Sequence, residues 1–328
     1  MASIDAGRRT APVGERTPDR AGHELEIEHV TKRYGHNVVV DDLSFRVRPG
    51  RVTGFLGPNG AGKSTLMKIL LDLASADRGR TTIGGMRYRD LRDPARTVGV
   101  VLEPNAFHPG RSARNHLRII ASGGGFPAEH IDEMLWLVGL GDAADRRVGA
   151  YSLGMRQRLS LAAALLGDPP VLVLDEPGNG LDPQGIRDLR ELLRARAANG
   201  HTIFVSSHLL SEVEHLADEV VVLNKGRLVA SGSLAELQKE ATFVRTPSAQ
   251  TLTEVLEAAG AVVQPEERDA LVVRGLPIDE IGERAHDAGI ALHELAPHSG
   301  SLEDLFLDWT GAARTDSASE TLKEVVSL

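Results

Sequence analysis

No cysteine occurs among the 328 residues, which excludes disulfides and thiolate-bound metal and fits a reducing compartment. Long apolar runs are missing as well. None approaches the length that a bilayer requires, so the chain is not expected to span one. The N-terminus has no apolar stretch of the signal-peptide type, and no such leader is read there. Positive charge is not in excess either. Lys and Arg number 37 against 46 Asp and Glu, for a formal net charge of −9. That balance argues against an autonomous DNA- or RNA-binding domain and leaves only a local basic patch open. No internal repeat is found. What is present is a hydrophobic fraction of 41%, enough for a substantial core, with 25% charged residues to keep the surface solvated. The length suits two domains, or one large domain with an appendage.

The most informative segment is Gly57-Pro58-Asn59-Gly60-Ala61-Gly62-Lys63-Ser64-Thr65, which fits G-x-x-x-x-G-K-[ST]. Its glycines let backbone N–H groups turn inward around phosphates. Lys63 reaches the β- and γ-phosphates, and the Ser64 hydroxyl can ligate Mg²⁺. The flanks agree with this reading. Residues 51–56 read as a short buried strand and residues 66–71 as a helix, whose N-terminus points its positive dipole end at the anion. A glycine-rich turn with a surface lysine would need none of these flanks. Nucleotide binding is the expectation.

A second segment, Val171-Leu172-Val173-Leu174-Asp175-Glu176-Pro177, is an apolar strand that ends in two carboxylates. At the carboxyl edge of an α/β sheet those acids lie beside the phosphate loop. Asp175 is expected to hold Mg²⁺, directly or through water, and Glu176 to orient and deprotonate the attacking water. Phosphoryl transfer needs little beyond such positioning and charge neutralisation.

Further apolar runs at 98–102, 202–205 and 220–223 alternate with helical stretches, which indicates a parallel sheet covered on both faces. Strands are also expected at 25–30 and 43–47, and a hairpin return at 226–232. Residues 1–22 are poor in large apolar side chains and read as a tail. Residues 23–240 form the nucleotide-binding domain, with a mostly helical part at about 104–166. From 241 the texture changes. Strands at 242–245, 261–263, 270–273 and 291–295, with helices at 251–259 and 278–288, follow the β-α-β-β-α-β order of a small α+β, ferredoxin-like domain. A closing helix is read at 301–309, the domain ends near 311, and 312–328 is a polar tail.

Between the two phosphate-site motifs lies Tyr151-Ser152-Leu153-Gly154-Met155-Arg156-Gln157-Arg158. It resembles the signature motif of ABC-type ATPases. Asn179-Gly180-Leu181-Asp182-Pro183 resembles their D-loop, Ser206-Ser207-His208 their switch histidine, and Tyr34 the aromatic that stacks on adenine. An ordinary half-buried tyrosine remains the alternative for Tyr34. The resemblance covers about residues 24–237. It implies a mostly parallel sheet core with an antiparallel β subdomain and a helical subdomain. It also implies ATP and Mg²⁺ as ligands, with His208 at the γ-phosphate. By the same resemblance Ser152, Leu153, Gly154 and Met155 act in trans, on ATP bound to the opposite subunit of a head-to-tail homodimer. ATP then holds the dimer together and hydrolysis releases it.

Three positions depart from the common family pattern. Leu153 replaces a glycine, tolerable where a backbone N–H is the working group and φ stays negative. Met155 replaces a glutamine and removes one polar side chain from the anion site. Glu103 replaces a glutamine in the loop that touches Mg²⁺ and contacts the transporter. As a carboxylate it can still ligate Mg²⁺, and a solvated acid at a strand end is the other reading.

The whole looks like the ATP-binding subunit of an ABC-2 type exporter, most similar to the antibiotic- and drug-resistance group. The Tyr151–Arg158 segment and Ser301-Leu302-Glu303-Asp304-Leu305-Phe306 carry that likeness. A separate integral-membrane permease is implied, with the chain peripheral on the inner face of the membrane. Residues 104–115 are its candidate contact surface, or else an ordinary surface loop. Two rivals are weighed. A soluble ABC-type ATPase acting on ribosomes or nucleic acid usually carries two ATPase halves or long coiled coils, neither of which is read here. A protein that holds ATP without turnover would not need Lys63, Asp175, Glu176 and His208 together.

Overall fold

The structure, a computed structural model, describes residues 22–102, 107–235, 241–298 and 306. The first part of the described chain runs β1 (Leu25–Tyr34), β2 (Asn37–Val47), β3 (Val52–Leu56), α1 (Lys63–Leu70), β4 (Arg78–Ile83), α2 (Pro94–Thr97) and β5 (Val98–Val101). The helical stretch follows as α3 (Ala113–Gly124), α4 (Glu129–Leu137) and α5 (Leu153–Leu165). Then come β6 (Val171–Asp175), α6 (Pro183–Ala198), β7 (Thr202–Ser207), α7 (Leu210–Glu214), β8 (Glu219–Asn224) and β9 (Arg227–Ser233).

The central sheet has the order β5-β6-β7-β3-β8-β9. Every pair in it is parallel except the β8–β9 hairpin. Strands β3, β6 and β7 are buried at every position, as a parallel sheet covered on both faces requires. Alternate residues serve different cores. Val171, Val173, Phe55 and Phe204 face a cluster closed by α1 and the antiparallel sheet, whereas Leu172, Leu174, Ile203 and Val205 face one closed by α3, α5 and α6. Phe45, Phe55 and Phe204 pack ring on ring, with centroids 5.0–6.1 Å apart. Pairing of Leu56 with Ser207 and of Asp175 with Ser206 brings the carboxyl ends of β3, β6 and β7 together. Ligand sites of open α/β sheets are built at such ends.

The antiparallel sheet has the order β2-β1-β4. Its first two strands extend well beyond the expected 25–30 and 43–47, meeting at a turn in which Gly35 has φ +59°. Strand β4 is absent from the sequence expectation. It is an exposed edge strand, Arg-Gly-Arg-Thr-Thr-Ile, held by Arg80 Nε to Glu28 at 2.5 Å and by Thr82 Oγ1 to Glu26 at 2.9 Å rather than by apolar alternation.

The C-terminal portion runs β10 (Ala241–Arg245), α8 (Ala249–Ala258), β11 (Val262–Glu267), β12 (Ala270–Arg274), α9 (Ile278–Asp287) and β13 (Glu294–His298). Its antiparallel order β11-β12-β10-β13 is that of a ferredoxin-like sheet, and its own core includes Val244, Leu252, Leu256 and Ile281. The last strand begins three residues later than the expected 291–295. The Ala291 carbonyl accepts the Thr246 hydroxyl at 2.8 Å, and ladder pairing starts after it. Of the closing helix, Phe306 is described; it packs on a cluster containing Leu56, Val213 and Val222. The remainder of 301–309, residues 1–21 of the first tail, the polar tail at 312–328 and residues 103–106 lie outside the described residues.

Candidate functional site

The loop after β3 ends at Gly62, the residue before α1, with φ +106° and a place for Cβ only 2.5 Å from the Val39 carbonyl oxygen. No other residue fits that conformation and that approach without strain. The helix therefore opens on Lys63, Ser64 and Thr65 with no acidic side chain in its first turn. Lys63 is 6% exposed. Its Nζ donates to the Gly57 carbonyl at 2.6 Å and to that of Pro58 at 3.4 Å, and lies 3.7 Å from Glu176 Oε1. Burial pushes the Lys63 ammonium below the usual lysine range, and the Glu176 and Asp175 carboxylates oppose that shift. A buried cation beside a helix N-terminus is an anion site waiting for charge.

A cleft of about 350 Å³ opens there, lined by Asn59, Gly60, Ala61, Gly62, Lys63, Ser64 and Thr65 from the loop and helix, and by Val39, Glu176, Asn179 and His208 from elsewhere. The glycine cradle, the buried cation and the hydroxyls of Ser64 and Thr65 fit a nucleotide triphosphate. The Ser64 hydroxyl and Asp175 carboxylate are hard oxygen donors of the kind Mg²⁺ takes.

Asp175 closes β6 and is buried. The Ser206 hydroxyl donates to its Oδ1 and, at 3.0 Å, accepts the backbone N–H of Glu176. Glu176 has φ +50°, a conformation that costs a non-glycine residue about 1 kcal/mol or more and persists only where its surroundings over-determine it. The anchors are visible. Ser206 holds its N–H, Gln157 Nε2 reaches its carbonyl at 3.4 Å, and Asn179 Nδ2 donates to Oε2 at 3.2 Å. His208 Nδ1 bonds the same Oε2; a carboxylate only accepts, so the proton is on Nδ1.

The Ser152 segment lies elsewhere. Ser152 caps α5, its hydroxyl accepting the Met155 N–H at 3.2 Å. Leu153 is 46% exposed and is not among the residues with positive φ, so leucine sits in an ordinary helical first turn. Met155 turns its side chain onto the core. A Cβ on Gly154 would meet the Gly180 carbonyl oxygen at 2.5 Å, so α5 and the loop after Glu176 touch backbone to backbone. Asp182 caps α6, accepting the Gly185 N–H at 2.8 Å and bonding Arg158 at 3.2 Å. Those two contacts, the Gly185 N–H first, hold its carboxyl below the usual range.

The fold thus brings the loop residues, Glu176 and His208 to one cleft, with Gly57 and Pro58 beneath Lys63 and Asp175 behind Glu176. Ser152, Leu153, Gly154, Met155 and Asp182 are outside the cleft lining, as is Tyr34, which is 52% exposed at the end of β1 with Lys32 Nζ 5.2 Å from its ring. Glu103 lies outside the described residues. Of the contact surface read at 104–115, Phe107 packs edge-on against His116 at 4.8 Å. Sequence reasoning missed Ser206, Asn179 and Gln157. All three stand inside the motif segments quoted above, but only the packing assigns them to Glu176.

Comparison with known proteins supplies the family. The ABC transporter family profile matches residues 40–179. An uncharacterized ABC transporter ATP-binding protein of Bacillus subtilis, YhcH, is 35% identical over 298 residues, covering 89% of this chain and 97% of that one. The chain belongs to the ATP-binding proteins of ABC transporters. It is accordingly an ATPase coupled to transport, not a factor acting on ribosomes or nucleic acid. The bacitracin transport ATP-binding protein BcrA of Enterococcus faecalis is 40% identical over 218 residues, covering 66% of this chain and 71% of that one. A solved ATP-binding subunit of an ABC transporter superposes with a TM-score of 0.60 at 31% identity, over 65% of this chain and 91% of that one. Residues 240–303 match a family described only as a domain of unknown function. Among the described residues no helix is long and apolar enough to cross a membrane.

Proposed function

We propose that this ATPase powers export of a small molecule, an antibiotic or drug-like compound, through a separate membrane permease, and that it does so as a head-to-tail homodimer at the inner face of the membrane. The observation that carries the enzymatic part is the meeting of Lys63, Glu176 and His208 in one cleft at the carboxyl end of β3. Bacitracin transport by a 40% identical relative supports the substrate class.

Lys63 neutralises the β- and γ-phosphates, the inward N–H groups of the loop orient them, and Tyr34 stacks on the adenine. Glu176 takes the proton of the attacking water, and His208, hydrogen-bonded to it, faces the γ-phosphate. Ser64, Asp175 and Glu103 would hold Mg²⁺, which would offset the negative charge of the phosphates. Ser152, Leu153, Gly154 and Met155 serve the cleft of the opposite subunit, with Asp182 beside them. All four lie outside the cleft of their own chain, and the exposure of Ser152 and Leu153 supports an action in trans. Residues 23–240 do this work, with residues 104–115 at the start of the helical part (about 104–166) carrying the permease contact, and 241–311 form an accessory domain.

The test is reconstitution. The full chain is co-expressed with a candidate multi-helix permease, and ATP-dependent uptake of bacitracin-like and other antibiotics is measured in inside-out vesicles. ATP hydrolysis that responds to no membrane partner, with the chain absent from the membrane fraction, overturns the exporter reading.

A further inference from the structure

His208 enters the cleft from a short turn, and the polar atoms beside it show what holds that turn. Strand β7 ends at Ser207, His208 follows it, and α7 opens at Leu210. Ser207 is buried. Its hydroxyl accepts the backbone N–H of Leu209 at 3.0 Å, so one oxygen ties together the residues on either side of His208. That hydroxyl has a single proton to give and two acceptors in reach, Glu212 Oε2 at 3.2 Å and the Leu209 carbonyl at 3.3 Å. The carboxylate is the nearer of the two and, being charged, the stronger. The proton goes to Glu212, which leaves a lone pair of Ser207 turned toward the Leu209 N–H.

Glu212 also abuts the loop that carries the catalytic carboxylate. It stands half-buried in the first turn of α7. A Cβ on Gly178 would lie 3.0 Å from its Oε2 and 3.1 Å from its Oε1. Gly178 is not among the glycines of positive φ, so its missing side chain provides room for the carboxylate rather than a special backbone conformation. The Glu212 carboxylate thus lies between the turn that carries His208 and the loop that carries Glu176. The same two segments meet again in the bond from His208 Nδ1 to Glu176 Oε2. Glu212 itself is outside the lining of the nucleotide cleft. We propose that Glu212 is a positioning residue for ATP hydrolysis: acting through Ser207, it fixes the turn that presents His208 to Glu176 and to the γ-phosphate. This role rests on the reading of His208 as the group that faces the γ-phosphate. What Ser207 needs from position 212 is an acceptor of the right reach, so an amide oxygen serves and a methyl group does not.

Glu212→Ala, Glu212→Gln and Ser207→Ala are made in the full-length chain. Steady-state phosphate release gives kcat and KM for ATP. NMR of the nitrogen-labelled histidine rings follows the Nδ1–H of His208, assigned by its loss in His208→Ala. Glu212→Ala should lower kcat roughly tenfold or more, as a small misplacement of a reacting group does. KM for ATP should stay within a factor of about two, because the phosphate loop is untouched. The hydrogen-bonded Nδ1–H resonance should be lost, since the turn no longer holds the ring on Glu176. Glu212→Gln should restore both kcat and the resonance. Ser207→Ala should reproduce the alanine effect and serves if Glu212→Ala fails to fold. Because the effect runs through His208, Glu212→Ala should cost no further turnover in a His208→Ala background. Parental kcat and ring signal in a folded Glu212→Ala protein overturn the proposal. So does a loss that Glu212→Gln does not restore, or an equal loss in the His208→Ala background. Full turnover in His208→Ala alone refutes the role of the histidine instead. The ring resonance then decides the positioning by itself: unchanged in Glu212→Ala, it overturns the proposal.

Discussion

Replacing Ser206 with alanine isolates what holds the catalytic carboxylate in place. The serine is fully buried, and its single hydroxyl donates to Asp175 while accepting the Glu176 N–H at 3.0 Å. Alanine removes both bonds and adds nothing. A bond to a charged acceptor contributes about 1.5–3 kcal/mol, and an orphaned buried N–H costs about 1–3 kcal/mol. The two share one oxygen and do not add fully, so a loss of about 3 kcal/mol is expected. That is tolerable against a typical stability of about 5–15 kcal/mol. The urea midpoint should fall with an unchanged m value. Catalysis should suffer separately. Glu176 sits at φ +50° and keeps that strained geometry only while anchored, so relaxation moves its carboxylate away from the productive position. A displacement of about 1 Å costs up to about a hundredfold in rate, and kcat should fall on the order of 10–100-fold. ATP affinity should hold, because Lys63 and the phosphate loop are untouched. Steady-state phosphate release and calorimetric ATP titration separate the two effects. A folded variant with kcat within a factor of about two of the parent would show that Ser206 does not position Glu176.

Glu176→Gln should abolish turnover while leaving ATP affinity largely intact, because the amide keeps the shape but loses the basic oxygen. Size-exclusion chromatography with ATP and Mg²⁺ should then find a trapped dimer, and retained hydrolysis would move the catalytic role elsewhere. Ser152→Arg and Lys63→Ala should each be inactive alone yet recover partial activity when mixed, since one of the two sites in the heterodimer is intact. No recovery contradicts action in trans. For Lys63 the folded pKa lies below the unfolded value of about 10.4. Between the two, the unfolded chain binds more protons, so raising the pH through that window should stabilise the nucleotide-free parent relative to Lys63→Met. Urea unfolding of both proteins at several alkaline pH values checks the sign; an opposite trend refutes the shift.

Much of the sheet core was legible because its signals are local. The strand-loop-helix around Lys63 is specified by glycines at fixed offsets, and the buried runs at Val171 and Thr202 by their apolar continuity. Strand β4 was not legible, because an edge strand held by Arg80 and Thr82 to glutamates on β1 needs no hydrophobic alternation. The start of β13 was misplaced by three residues for a similar reason: a single hydroxyl, that of Thr246, takes the Ala291 carbonyl out of the ladder. Within the site, the residues that carry charge stand in motifs, and those that position them do not announce themselves. Ser206 and Gln157 acquire their roles from contacts with Glu176 across 30 and 19 residues. Leu153 is the converse case. An unusual residue for its motif, it occupies an ordinary helical turn.

The neighbours of β3 are its most consequential feature for the making of the protein. The strand that carries the phosphate loop is flanked by β7 and β8, with Val52 beside Ile203 and Thr53 beside Glu219. Roughly 150 residues separate the strand from either partner, so its pairing is of the slow, non-local kind. On a ribosome adding about 5–20 residues per second, the nascent phosphate loop waits roughly ten to thirty seconds for the strands that fix it. During that interval Phe55 and Leu56 are sticky segments without a home, and a nucleotide has nothing to bind. Ribosome-stalled chains ending before β7 should therefore be chaperone clients, and nucleotide capture should begin only once β8 has cleared the exit tunnel.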